Sequence, residues 1–211
     1  MNLIDTHTHL YLKEFNNDRM EVVKRAKENN VSKMLLPNIN VGTYNDMMQM
    51  ASQFPELCLP MIGLHPTSVN ENFHEELRFL EQNIQKNSFV AIGETGIDLY
   101  WDKTFKKQQE ASFRVQLEWS QKYDLPVVIH ARESFEEIFH ILEDYNNMGL
   151  KGVFHSFTGN LHDVQRIIEL GFYFGINGIV TFKNSGLDKI VKDIPLEKIL
   201  IETDSPFLAP V

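Results

Sequence analysis

Cysteine occurs once in the 211 residues, as Cys58, so an internal disulfide is excluded. It lies in Leu57-Cys58-Leu59, a setting for buried packing rather than nucleophilic chemistry. No apolar stretch approaches the ~20 residues needed to span a bilayer. The N-terminus enters its first apolar run without the basic segment and apolar core of a signal peptide. Together with the lone cysteine, these absences give the expectation of a cytoplasmic protein with no membrane association. Phosphate-binding glycine motifs are missing too, because Gly93-x-x-Gly96 and Gly175-x-x-Gly178 lack the rest of a dinucleotide or P-loop pattern. Basic residues are the minority, 20 Lys and Arg against 29 Asp and Glu, for a formal charge of −9. That balance excludes broad, sequence-independent gripping of nucleic acid by the whole surface. A nucleic-acid substrate is still compatible with it at a mouth where divalent ions invert the local field. With no linker, low-complexity tract or composition shift, residues 1–211 are expected to form one domain.

Hydrophobic residues make up 43% and charged residues 23%, enough for one sizeable core. Eight short apolar or β-branched runs occur at 2–9, 33–39, 58–65, 89–94, 126–130, 152–156, 172–180 and 198–204. Helical periodicity separates them: Met20, Val23 and Ala26; Leu77, Leu80 and Ile84; Phe135, Ile138, Phe139 and Leu142. Segment 161–170 repeats it with Leu161, Val164, Ile167 and Ile168, opened by Asn160 as N-cap and closed by Gly171. Continuous apolar strands alternating with helices fit a closed parallel (β/α)8 barrel of the TIM type, with an open doubly wound sheet as the alternative. A barrel gathers the C-terminal ends of its strands around one mouth, and the unusual residues here end the runs consistently: His9, His65, Glu94, His130, His155 and Asp204. The eighth run ends near Asp204 and the sequence ends at Val211. The expected barrel therefore lacks its final C-terminal helix, as in a C-terminally truncated chain.

His7 and His9 sit one residue apart at the end of the first run. On a strand, residues i and i+2 face the same way and can aim both imidazoles at one ion. With Glu94, His130, His155 and Asp204 they make six nitrogen and oxygen donors, too many for one tetrahedral zinc and about right for two ions sharing a bridge. Glu94 is the natural bridge, since a carboxylate binds one ion with each oxygen. One ion would take His7, His9, Glu94 and Asp204, and the other Glu94, His130 and His155. Two such ions, about 3.5–4 Å apart, lower the pKa of a shared water toward ~7 and clamp attacking and leaving oxygens. Asp204 and Glu94 are the candidate catalytic residues, Asp204 as ligand and proton acceptor. Mixed histidine and carboxylate ligands suit zinc, manganese, nickel or iron as well as magnesium.

Other residues would address substrate. His65, in Gly63-Leu64-His65-Pro66, ends the third run at the same mouth and can orient a scissile phosphate. Arg132 follows His130 on the same face, where its planar fork suits a phosphate oxygen. A salt bridge to Glu133 or Glu136 is the competing role. Tyr100 and Trp101 could stack on a base or cap the core. Lys103, Lys106 and Lys107 could steer a phosphate chain or form a solvated face. His74, His140 and His162 fall in or beside helical segments and read as surface or packing residues.

The strings Ile4-Asp5-Thr6-His7-Thr8-His9-Leu10, Gly63-Leu64-His65-Pro66 and Ile92-Gly93-Glu94-Thr95-Gly96-Ile97-Asp98 resemble those of a known family. So do Pro126-Val127-Val128-Ile129-His130-Ala131-Arg132, Phe154-His155-Ser156-Phe157-Thr158-Gly159 and Glu202-Thr203-Asp204-Ser205-Pro206. The chain resembles, along essentially its whole length, the TatD-like metal-dependent deoxyribonucleases, within the wider metal-dependent hydrolases on a barrel. Glu94 is part of that resemblance, because many amidohydrolase and phosphotriesterase relatives place a carboxylated lysine there. The resemblance implies a two-metal, magnesium-dependent hydrolase of DNA phosphodiesters, often a 3′-to-5′ exonuclease. Other members act on other esters, including mischarged aminoacyl-tRNA. Family members run about a helix and a half longer and carry a basic stretch after the position of Val211. Three functions compete: a phosphodiesterase acting on DNA ends, an ester or amide hydrolase with the same metals, and a catalytically silent nucleic-acid-binding barrel. A monomer is expected.

Overall fold

The computed structural model describes residues 1–145 and 148–211. Eight parallel strands alternate with helices: β1 Leu3–Asp5, α1 Arg19–Glu28, β2 Val31–Leu36, α2 Val41–Gln53, β3 Cys58–Pro60, α3 Phe73–Ile84, β4 Ile92–Asp98 and α4 Lys106–Tyr123. They continue with β5 Val127–Arg132, α5 Phe135–Glu143, β6 Gly152–His155, α6 Leu161–Glu169, β7 Tyr173–Ile176, α7 Leu187–Ile190 and β8 Ile199–Ile201. Each apolar run overlaps one strand, as the barrel expectation requires. Strands pair in sequence order within β1–β3 and within β4–β8. Backbone bonds bridge both gaps: Gly93 N donates to Ile62 O at 2.8 Å, and Thr6 N donates to Ile201 O at 3.2 Å. The second seam is reinforced by Asp5, whose carboxylate accepts from Thr203 N at 3.0 Å and Thr203 Oγ1 at 2.7 Å.

Strand alternation divides the core. Val127, Ile129 and Phe154 pack outward against helix residues such as Phe139 and Ile167, while Val128 and Val153 join Met61 and Ala91 in a small inner cluster. His130 and His155 share parity with Val128 and Val153, so the same period of two that fills the barrel interior turns both rings inward. A register irregularity between Ile92 and Thr95 resets the phase of β4. Ile92 therefore packs in the outer core, yet Glu94 joins the interior. Gly96, at φ +133°, lies so close to the next strand that a Cβ would collide with the His130 carbonyl.

The helices read as the periodicity indicates, with two adjustments. Asn160 caps α6 through Oδ1, accepting from His162 N at 2.8 Å and Asp163 N at 3.3 Å, and Gly171 takes φ +80° after its end. Val164 and Ile167 are buried, but Leu161 and, on α1, Met20 are exposed, since both stand in a first turn beyond the sheet's cover. Helices α2 and α4 complete the pattern between runs, and α4 begins at Lys106. Lys106 pairs with Glu137 at 2.8 Å, which ties it to α5 instead of the mouth. After β8, residues 202–211 form a turn and no helix. Cys58 is buried, and burial pushes its thiol up to about 12. Among the described residues, no helix is long and apolar enough to cross a membrane.

Candidate metal centre

Strands β1, β3 and β8 end well before their apolar runs do, so several expected strand-end residues lie just beyond them. His7 and His9 follow β1, His65 opens a short turn after β3, and Asp204 lies three residues past β8. Glu94, in contrast, is inside β4, which runs on to Asp98. The Asp204 backbone at φ 56° and Ser156 at φ 47° are left-handed, a conformation costing a non-glycine residue about 1–3 kcal/mol. Neighbouring bonds hold both: Asp204 N donates to His7 O at 2.8 Å, and Ser156 N donates to Glu202 Oε1 at 2.7 Å.

All six candidate ligands converge. The Nε2 atoms of His7 and His9 lie 3.2 Å apart. Glu94 Oε2 is 3.2 Å and 3.8 Å from them, and Asp204 Oδ1 is 3.7 Å and 3.4 Å from them. A tetrahedral ion with bonds of about 2.1 Å has donor-to-donor edges of about 3.4 Å, so both carboxylates stand near ligand spacing from the two imidazoles. The second oxygen of Glu94 faces a different group: Oε1 is 2.8 Å from His130 Nδ1, 3.3 Å from His65 Nε2 and 3.6 Å from His155 Nε2. His155 stands between the two groups. Its ring stacks on His7 with centroids 3.4 Å apart, against 6.5 Å to His130, and its Nε2 is also 3.9 Å from Asp204 Oδ2.

Three partners that orient these histidines were not among the expected site residues. Tyr11 Oη donates to Pro37 O at 2.6 Å and therefore accepts from His9 Nδ1 at 3.1 Å, which leaves the Nε2 lone pair of His9 free for the centre. Asp98 Oδ2 lies 2.9 Å from His130 Nε2. Glu202 Oε1 lies 3.0 Å from His155 Nδ1, though off the line of a hydrogen bond. His65 has the opposite arrangement. Its Nδ1 accepts from Thr67 N at 3.1 Å, so Nε2 carries the hydrogen toward Glu94. This polarity makes His65 a donor rather than a ligand.

Electrostatics agree with a cation at the floor. Burial raises the Glu94 carboxyl, but His65, His155, His7 and His130 outweigh it and hold Glu94 well below the usual carboxylate range. Asp204 is likewise raised by burial and brought down by His9, His155 and His7. Burial lowers His155, yet Glu202 and Glu94 overcome this and lift it to about 10. Burial and the neighbouring His155 depress His7, whose buried Nδ1 has no partner. Protonated histidines now balance the acids, and a divalent cation fits that role with the same donors.

Above this floor opens a cavity of about 520 Å³ that includes His65, Asp98, Trp101, Arg132 and Phe207 in its lining. Arg132 makes no salt bridge among the described residues, and Glu136 is taken by Arg166 at 2.8 Å. Its guanidinium sits 3.9 Å from the Tyr100 ring centroid and 5.3 Å from that of Trp101. Tyr100 is 49% and Trp101 69% exposed, so neither caps the core. His74, His140 and His162 lie on α3, α5 and α6, outside the converging set.

The comparisons with known proteins agree with this geometry. The chain is 34% identical over 99% of its length to an uncharacterized metal-dependent hydrolase, YabD, of Bacillus subtilis, covering 82% of that protein. It is 31% identical, over 99% of its length and 81% of the relative, to the 3′-5′ ssDNA/RNA exonuclease TatD of Erwinia tasmaniensis. The crystal structure of YjjV, a TatD homolog from Escherichia coli, superposes with a TM-score of 0.91 at 27% identity, over 99% of this chain and 81% of that one. The profile of the TatD related DNase family matches residues 4–211, and the chain belongs to that family of metal-dependent hydrolases.

Proposed function

We propose that this protein hydrolyses phosphodiester bonds of DNA, removing nucleotides from the 3′ end of a single strand, with two divalent ions bridged by Glu94. The observation that carries the reading is the division of Glu94: Oε2 faces His7 and His9, and Oε1 faces His130, His65 and His155. His7, His9, Glu94 and Asp204 would hold one ion, and Glu94 and His130 the other, with His155 reaching both positions. Bound there, the ions would supply Lewis acidity and an activated water. Magnesium is the expected native ion, with zinc, manganese, nickel or iron as competitors for the same donors.

The chain's own residues do the rest. Asp204 uses Oδ1 at the floor and keeps Oδ2 for the proton released by the attacking water. His65 donates its Nε2 hydrogen to a non-bridging phosphate oxygen. Arg132 carries positive charge to the rim, and Tyr100 and Trp101 give a terminal base flat faces on which to stack. The acidic exterior then confines a polyanion to this mouth. Relatives named as 3′-5′ ssDNA/RNA exonucleases at about 30% identity support the polarity.

The test is degradation of 3′-labelled and 5′-labelled single-stranded DNA, with and without EDTA, across magnesium, manganese and zinc. Metal-dependent shortening from the 3′ end is expected. No cleavage with any metal, together with turnover of a carboxylic ester or aminoacyl ester panel, would replace the nuclease reading with an ester hydrolase on the same floor.

A further inference from the structure

Asp98 was not among the expected site residues, yet it joins the floor to the rim. Buried at 2% exposure, it divides its carboxylate between two structures. Oδ2 takes His130 Nε2 at 2.9 Å, while Oδ1 accepts the backbone N–H groups of Tyr100 at 3.0 Å and Trp101 at 3.3 Å. Its own N–H is held by Gln109 Oε1 at 2.9 Å. The other ring nitrogen of His130 is 2.8 Å from Glu94. An unbroken chain thus runs from Glu94 through His130 and Asp98 to the loop that carries the exposed aromatics.

We propose that Asp98 is a positioning residue that couples a divalent ion at Glu94 and His130 to the order of the Tyr100–Trp101 loop. Its ionised carboxylate requires hydrogen on His130 Nε2, which leaves Nδ1 free to bind an ion. Without the ion, the His130 imidazole is shared between two carboxylates at nearly equal distances. With Nδ1 fixed by the ion, the Nε2–H bond fixes Asp98, and Oδ1 fixes the two loop amides. A loaded site then holds the stacking surface more firmly than an empty one. An asparagine cannot substitute, because whichever way its amide turns, an NH2 group faces a donor on one side.

The proposal rests on the reading that ions occupy the Glu94 and His130 position, and it is tested with zinc alone, without DNA. Trp119 is 3% exposed, so acrylamide quenching reports Trp101, with Trp101→Phe as the control. In the wild type, zinc saturation should reduce the quenching of Trp101. In Asp98→Asn, calorimetry should show ion affinity lowered by about 10–100-fold, and the quenching change should be lost. A folded His130→Ala protein should lose the same change, which keeps the test decisive if Asp98→Asn does not fold. No zinc response of Trp101 in the wild type, or an unaltered response in either folded variant, overturns the coupling. A protein that cleaves no DNA but shows the zinc response loses the nuclease reading and keeps this one.

Discussion

The floor and the rim of the cavity are built by different means. His7, His9, Glu94, His155 and Asp204 are each at most 8% exposed, whereas Tyr100, Trp101 and Phe207 are 49%, 69% and 49% exposed. Floor side chains are fixed by strand parity, a register shift and hydrogen bonds to buried partners. The rim rings stand on loops and are steadied by one cation and one carboxylate. The contrast teaches that chemistry and recognition here rest on different structural supports, joined through Asp98. Damage to the floor should stop turnover, and damage to the rim should weaken substrate capture.

The sharpest way to break that separation is Asp204→Ala. Turnover is expected to fall roughly a thousand-fold or more, with the circular-dichroism spectrum unchanged; retained activity in a folded variant would move the chemistry elsewhere. Glu202→Gln should lower ion affinity by about 10–100-fold in calorimetry, because it removes the charge beside His155 Nδ1 while keeping its volume. Next comes pH. His155, lifted to about 10, must surrender its proton to an ion. Ion uptake near neutral pH should therefore release protons, and apparent affinity should fall about tenfold for each pH unit of acidification below that value. The sign is opposite for the metal-free fold. Stability supplied by the raised His155 is complete below its ordinary value near 6.5 and is lost as pH rises through about 10, measurable by denaturant melts. The smallest effect belongs to the rim. Trp101→Ala should raise KM for a single strand by about fivefold to tenfold, within the ~1–3 kcal/mol range for a stacked base, and leave kcat unchanged. A large fall in kcat would show that the Trp101 ring acts in the chemical step as well as in capture.

The two regions also differed in how far the sequence could be read. The floor was legible because histidines and carboxylates at the ends of apolar runs have few other reasons to be there, and because eight such runs suggest a single mouth. His155 was harder to assign to one ion, since the stacking on His7 depends on how the strands curve. Asp98 and Glu202 were missed although each stands close in sequence to a named ligand, Asp98 on the same strand as Glu94 and Glu202 two residues before Asp204. Extending the period of two beyond run 89–94 could have found Asp98, and an acid inside the apolar run 198–204 could have pointed to Glu202. Tyr11 offered none, because its role depends on where Pro37 falls in space. For Arg132 the sequence supplied acidic neighbours, but the fold spent Glu136 on Arg166 and brought the aromatic rings to the guanidinium.

The seam between β8 and β1 has a consequence in time. Thr6 meets Ile201 and Asp5 meets Thr203 across 195 and 198 positions of chain, in a set of end-to-end partnerships that hold the ligands. Contacts of such separation form late, after the local strand-helix units have collapsed. Until they do, His7 and His9 have no Asp204 beside them, and tight ion capture must wait for the two extremities to meet. Ion uptake during refolding would then serve as a clock for the last joining step, lagging behind the appearance of helical signal.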